Sequence, residues 1–252
     1  MKNRRDFIKT LVVAATGASL GNPAIGAGLD QKQLSSHHAY GLTVLFQGDS
    51  ITDGNRTRNT DWNHVMGHGY ACNIAGRLWY DYPDKGFQFY NRGISGNRIT
   101  HLAERWQADT LDLEPDVLSI LVGINDVGGF VRGDTSCTPD QFETGYRELL
   151  IRTKAKLPAL RFVLCEPFIL PVGKVKDNWE VFQREVSIRQ KITKQLASEF
   201  QAVHVPFQHA FDAALSKAPA EYWIWDGIHP MPAGHELMAR FWIEKVAGQL
   251  GI

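Results

Sequence analysis

Leu42-Thr43-Val44-Leu45-Phe46, followed at once by Gln47-Gly48-Asp49-Ser50-Ile51-Thr52-Asp53-Gly54, decides how the rest of this 252-residue chain is read. A short, nearly continuous apolar run has the pattern of a strand buried on both faces. The Gly-Asp-Ser after it puts a hydroxyl just past the strand's carboxyl end, where open parallel sheets carry their functional groups. Far along the chain, Asp226-Gly227-Ile228-His229-Pro230 supplies an acid and an imidazole three positions apart. Serine is a weak nucleophile and needs an adjacent base. His229 fits that role, with Nε2 facing Ser50 and Asp226 holding Nδ1. Taken alone, Asp-x-x-His also reads as a capped turn before a helix, and Gly-Asp-Ser as an ordinary turn. A metal on Asp226 and His229 lacks a third ligand with recognisable spacing.

Outward from this stretch, helix-like and strand-like runs alternate. Helical spacing covers 66–82, ended by Pro83, and 99–113, stopping before Pro115. Thr138 as N-cap and Pro139 at the first position open a helix over 139–157. Further helices are expected over 179–200 and 231–250, and strands over 87–91, 117–122, 162–165 and 202–205. This alternation implies βαβ units and one parallel sheet covered on both faces, with no linker dividing residues 41–252. Ser50, Gly93, Asn125, Glu166 and the Asp226/His229 segment then all fall at one sheet edge. Three of them offer donors to an oxyanion: the Ser50 N–H near a helix start, the Gly93 N–H and the Asn125 side-chain amide. Singly, Gly93 also reads as a left-handed turn residue and Asn125 as an Asx turn.

Gly48-Asp49-Ser50 with Asp53-Gly54, the Gly93 block, Gly123-x-Asn125-Asp126 and Asp226-Gly-x-His229-Pro resemble, in order, the sequence blocks of the GDSL/SGNH hydrolase superfamily. The resemblance spans about residues 42–250. It implies a flavodoxin-like three-layer α/β/α fold with five parallel strands in the order 2-1-3-4-5. It also implies ester hydrolysis without metal or cofactor: Ser50 as nucleophile, His229 as base, Asp226 as its orienter, and Ser50, Gly93 and Asn125 as the oxyanion hole. Ile51 stands where the family name has Leu, and Thr52 rules out a Gly-x-Ser-x-Gly elbow.

Composition is that of an ordinary globular protein: 44% apolar, 21% charged, and 27 basic against 27 acidic residues, with no basic block in the body to suggest nucleic acid. Residues 1–26 stand apart. Arg4-Arg5-Asp6-Phe7-Ile8-Lys9, an apolar stretch over 11–20 and a small-residue region read as a twin-arginine-like export signal. The other reading, a membrane anchor, is short of the roughly 20 apolar residues a span needs. A polar linker over 27–40 would follow, and the mature protein would work in the periplasm or outside the cell, without stable membrane insertion. Cys72, Cys137 and Cys165 form no C-x-x-C pair, and their pairing is open at this point.

The substrate is less legible. The polar loop over 55–63 holds one Trp, and Trp223 and Trp225 flank Asp226. Polar groups interleaved with aromatics suit a sugar face, although such Trp residues equally pack at a rim. Asp49, Arg92 and Trp225 are the side chains expected to meet substrate. The leading expectation is a carbohydrate O-acetylesterase acting on a small-molecule or glycan ester. The alternatives are a lysophospholipase or short-chain arylesterase, and, from another class, a non-catalytic carbohydrate-binding protein.

Overall fold

A computed structural model describes residues 41–59 and 61–252. The expected export signal and linker lie outside the described residues. Five strands, β1 (Thr43–Gly48), β2 (Gln88–Asn91), β3 (Val117–Leu121), β4 (Arg161–Cys165) and β5 (Val203–Val205), form one sheet. All neighbours pair in parallel, in the order β2-β1-β3-β4-β5. From β1, beside the edge, the chain runs to the edge strand β2 and then crosses back past β1 to β3, building outward through β4 to β5. The crevice between β1 and β3 is therefore a topological switch point, where such sheets bind ligands.

Nine helices are found among the described residues: α1 (Ser50–Asp53), α2 (Tyr70–Asp81), α3 (Ile99–Asp109), α4 (Ile124–Val131), α5 (Pro139–Lys156), α6 (Trp179–Glu199), α7 (Phe207–Ala214), α8 (Ala220–Trp223) and α9 (Pro232–Leu250). The period-2 alternation of strand side chains sorts the core into two layers. Val44, Phe46, Val117 and Val163 face the side covered by α2, α7 and α9, through Ile74, Phe211 and Trp242. Leu45, Leu118, Phe162 and Leu164 face α3, α5 and α6, through Trp106, Tyr146 and Leu196. Both faces are thus covered, which leaves the ends of the strands for a site, and open parallel sheets use the carboxyl end.

Local signals place several boundaries. The Thr138 hydroxyl accepts from the Gln141 N–H, and Gln141 closes a capping box at the head of α5. Helix α2 begins four residues later than the periodicity predicts, because Gly67 takes a left-handed φ of 71°. Met66 still packs into the core, and its carbonyl accepts from the Asn91 side chain. The helix over 99–113 ends at Asp109 and continues as a 3₁₀ turn, Leu111–Leu113.

Candidate active site

Ser50 opens α1, whose N-cap is Asp49: the Asp49 carboxylate accepts the Ile51 N–H at 3.0 Å. The Ser50 Oγ lies 2.9 Å from His229 Nε2 across 179 positions of sequence. His229 Nδ1 is 2.8 Å from Asp226 Oδ2. The other carboxylate oxygen, Oδ1, accepts the backbone N–H groups of His229 at 2.7 Å and Ile228 at 3.0 Å. Burial alone would raise the Asp226 carboxyl. The His229 N–H, the Lys174 ammonium, the imidazole and the Ile228 N–H outweigh it and hold the group well below the usual carboxylate range. Asp226 is therefore an anion at any working pH, acceptor only, and fixes the proton of a neutral His229 on Nδ1. That leaves Nε2 free to accept from Ser50, the arrangement a hydroxyl nucleophile requires.

The donor side is built by the loop after β2. Asn91, the last residue of that strand, is buried, and its amide N–H groups reach the carbonyls of Thr52 and Met66 at 2.7 and 3.0 Å. Its Oδ1 accepts the Gly93 N–H at 2.9 Å. This overturns the expected place of Gly93 in an oxyanion hole: its donor is already committed. Gly93 is itself buried, packed so tightly that an added Cβ would lie 2.3 Å from the Asp53 backbone nitrogen. Farther along, the Ser95 N–H and hydroxyl donate to Asp53 Oδ2, and the Asn97 carbonyl accepts from Asn125 Nδ2 at 3.1 Å. Gly96 sits between these two ties, exposed and left-handed at φ 81°. Neither its N–H nor that of Ser50 donates to an acceptor among the described residues. The signal was in the sequence, since Gly93-Ile94-Ser95-Gly96 offers two glycines; the side chain of Asn91 decides between them.

Gly93→Ala is accordingly expected to cost about 1–3 kcal/mol of stability by overpacking. Gly96→Ala meets open space, so it costs only about 1 kcal/mol for its left-handed φ. If the Gly96 N–H takes the oxyanion role expected of Gly93, shifting it lowers kcat by up to about 10²-fold. Thermal melts and kcat on a short-chain ester check both. A stable, inactive Gly93→Ala beside a fully active Gly96→Ala would reinstate Gly93.

Two of the three expected substrate contacts are also corrected. Asp49 is 1% exposed beneath the nucleophile, where burial pushes its carboxyl up to about 7, against the Ile51 N–H and with the Asp126 charge adding to the rise. It is a cap, closed off from substrate. Arg92 lies over the Tyr90 ring, with Nε 3.8 Å from Asp109 Oδ1 at the end of α3. Its charge is engaged with α3 and not with the Ser50–His229 pair. Trp225 stays where a ligand can reach it: 61% exposed, its ring 6.3 Å from that of His229 and tilted by 26°. Glu166 supports the head of α7, accepting from the Gln208 N–H. His235 packs inside, its Nδ1 accepting the Tyr70 N–H, and burial with the nearby His68 and His229 lowers it to about 4. All three cysteines are free, and Cys165 is buried. Among the described residues no cluster of His, Cys, Asp or Glu is arranged to hold a metal, and no helix is long and apolar enough to cross a membrane.

The model of the GDSL-like lipase/acylhydrolase family matches residues 46–237. An acetylxylan esterase of Geobacillus stearothermophilus is 32% identical over 213 residues, covering 82% of this chain and 94% of that protein. A solved structure of an acetylxylan esterase from the same organism, 32% identical and covering 82% of this chain and 94% of its own, superposes with a TM-score of 0.72. A structure described as a GDSL-like lipase from Parabacteroides merdae is 41% identical, covers 82% of this chain and 96% of its own, and superposes with a TM-score of 0.79. With this match over most of its length and a parallel 2-1-3-4-5 sheet, the chain belongs to the GDSL-like lipase/acylhydrolase family of the SGNH superfamily and is a carboxylic ester hydrolase.

Proposed function

We propose that this enzyme removes O-acetyl groups from a carbohydrate, through an acyl intermediate on Ser50. The observation that carries the chemistry is the 2.9 Å contact of Ser50 Oγ with a His229 whose other nitrogen is fixed by Asp226. Ser50 Oγ attacks the ester carbonyl carbon as His229 Nε2 takes its proton. The carbonyl oxygen gains negative charge, which we assign the N–H groups of Ser50 and Gly96 and the Asn125 amide to stabilise. The intermediate collapses, the C–O bond to the sugar breaks, and His229 returns the proton to the departing oxygen. Water, deprotonated by His229, then attacks the acyl-serine and releases the acid, restoring Ser50. In alanine variants of the Geobacillus esterase named as catalytic mutants, the Ser, Asp or His is replaced, and that Asp and His stand three positions apart, as Asp226 and His229 do.

The sugar assignment rests on two supports. The acetylxylan esterase is 32% identical over 82% of this chain. The exposed Trp225 ring beside His229 offers a flat apolar platform at the base, of the kind that packs against a sugar face. Export by the segment around Arg4-Arg5 would bring the enzyme to such a polymer. The test is a p-nitrophenyl ester series from acetyl to dodecanoyl, run beside acetate release from acetylated xylo-oligosaccharides. Turnover is expected to fall steeply beyond propionyl, with acetate released from the oligosaccharide. A preference for octanoyl or longer would replace the reading by a lysophospholipase. Glycan binding without hydrolysis of any ester would replace it by a binding protein.

A further inference from the structure

The connection from β4 to α6 is wrapped against the Asp226–His229 turn. The Leu170 N–H donates to the Gly227 carbonyl and the Lys174 N–H to the Asp226 carbonyl, both at 3.1 Å. Gly173 is left-handed at φ 53°, and a Cβ there would lie 2.5 Å from Asp226 Cα, so this loop can approach only as glycine. The approach delivers the Lys174 Nζ to 2.8 Å from Asp226 Oδ2, the same oxygen that faces His229 Nδ1. Asp226 thus has four donors for its roughly four acceptor sites: two backbone N–H groups on Oδ1, and the imidazole and the ammonium on Oδ2. Of the other titratable groups around His229, His235 on α9 is neutral near pH 7, lowered by burial and by the nearby His68 and His229.

We propose that Lys174 is a positioning residue for the reaction: it fills the last acceptor site of Asp226, and its charge opposes proton gain by His229, so that activity extends to more acid pH. The inference rests on His229 acting as base. Its sign follows from the geometry. A proton added to His229 is attracted by the carboxylate and repelled by the ammonium on the same oxygen. Removing the ammonium leaves only the attraction, so His229 holds its proton to higher pH and the acid limb of the rate profile moves up. Lys174 is about half exposed, so salt screens the effect.

The experiment is kcat/KM for a short-chain p-nitrophenyl ester from pH 4.5 to 8.5, for wild type, Lys174→Met, Lys174→Gln and Lys174→Arg, each at low and 1 M salt. Both neutral variants are expected to move the acid limb up by about half a pH unit, the size of a half-exposed ion pair. Lys174→Arg keeps the wild-type limb, and the gap between neutral and charged variants narrows in 1 M salt. An unmoved limb in both neutral variants, or the same pH-independent loss in all three, would overturn the proposal and leave Lys174 a structural tether. A wild-type profile flat on the acid side with chemistry limiting would instead sink the reading of His229 as base, a separate outcome.

Discussion

Ser50→Ala is expected to lower kcat on any accepted ester by on the order of 10⁵- to 10⁶-fold while leaving the melting temperature within a few degrees of wild type. The size of the loss follows from there being one hydroxyl at the required place. Ser50 Oγ is the atom within hydrogen-bonding distance of His229 Nε2, and alanine removes the nucleophile and the bridging proton together. The intact fold follows from what holds the residue. The cap on α1 is made by Asp49 with the Ile51 N–H, and the helix is pinned from outside by Asn91 on the Thr52 carbonyl. None of these bonds uses the serine side chain. The Ser50 N–H, Gly96 N–H and Asn125 amide all survive the substitution, so a remnant of about 10³-fold over water is expected from the donors alone. Single-turnover assays that find more than about 1% of wild-type rate would mean another nucleophile is at work.

The inner strands β1, β3 and β4 were legible because they are buried on both faces and read as apolar runs between helical ones. The short helices were not. Helix α4 contains Gly128-Gly129, which depress helical propensity over only eight residues, and tertiary packing of Ile124 and Val127 outweighs that cost. Helix α7 is the exception: Phe207, Ala210, Phe211 and Ala214 keep the i, i+3, i+4, i+7 spacing and are all buried. Helix α1 has four residues, too few for any period, and is fixed by its cap.

In the site, residue chemistry carried Ser50, Asp226 and His229, since few pairs of segments can put a hydroxyl, an imidazole and a carboxylate in line. The remaining assignments depend on long-range bonds that no local pattern encodes. Gly93 and Gly96 differ by which N–H the Asn91 side chain consumes. Asp49 resembles an exposed turn acid until the sheet closes over it. Arg92 had a usable signal, because it lies two positions beyond Tyr90, and that period sends both to the α3 face. Lys174 had none: its approach to Asp226 depends on the left-handed Gly173 and on the path of a loop between two strands of the sheet.

Asp226→Asn is the second large effect, with an expected fall of about 10⁴-fold in kcat. The two ends of the carboxylate face different demands. Oδ1 accepts two backbone N–H groups, which cannot move without unfolding the Asp226–His229 turn. An asparagine has only one acceptor atom, so its carbonyl must go there and its NH₂ must replace Oδ2. The NH₂ then points its hydrogens at His229 Nδ1 and at the Lys174 ammonium. Lys174 can swing into solvent. His229 can satisfy the new donor only by accepting at Nδ1, which moves its single proton to Nε2. There it faces Ser50 Oγ as a donor and can no longer take the serine proton, at any pH where the imidazole is neutral. Asp226→Ala is expected to behave differently. It imposes no tautomer, so it loses less activity than the asparagine variant, but it leaves two backbone N–H groups of the turn unpaired, at about 1–3 kcal/mol each where they stay buried. The pair of variants therefore separates orientation from support. The expected order is Asn below Ala in kcat and Ala below Asn in melting temperature, measured on the same ester at pH 7.5. Equal activities in the two variants would mean that charge alone, and not the tautomer, is what Asp226 supplies to His229.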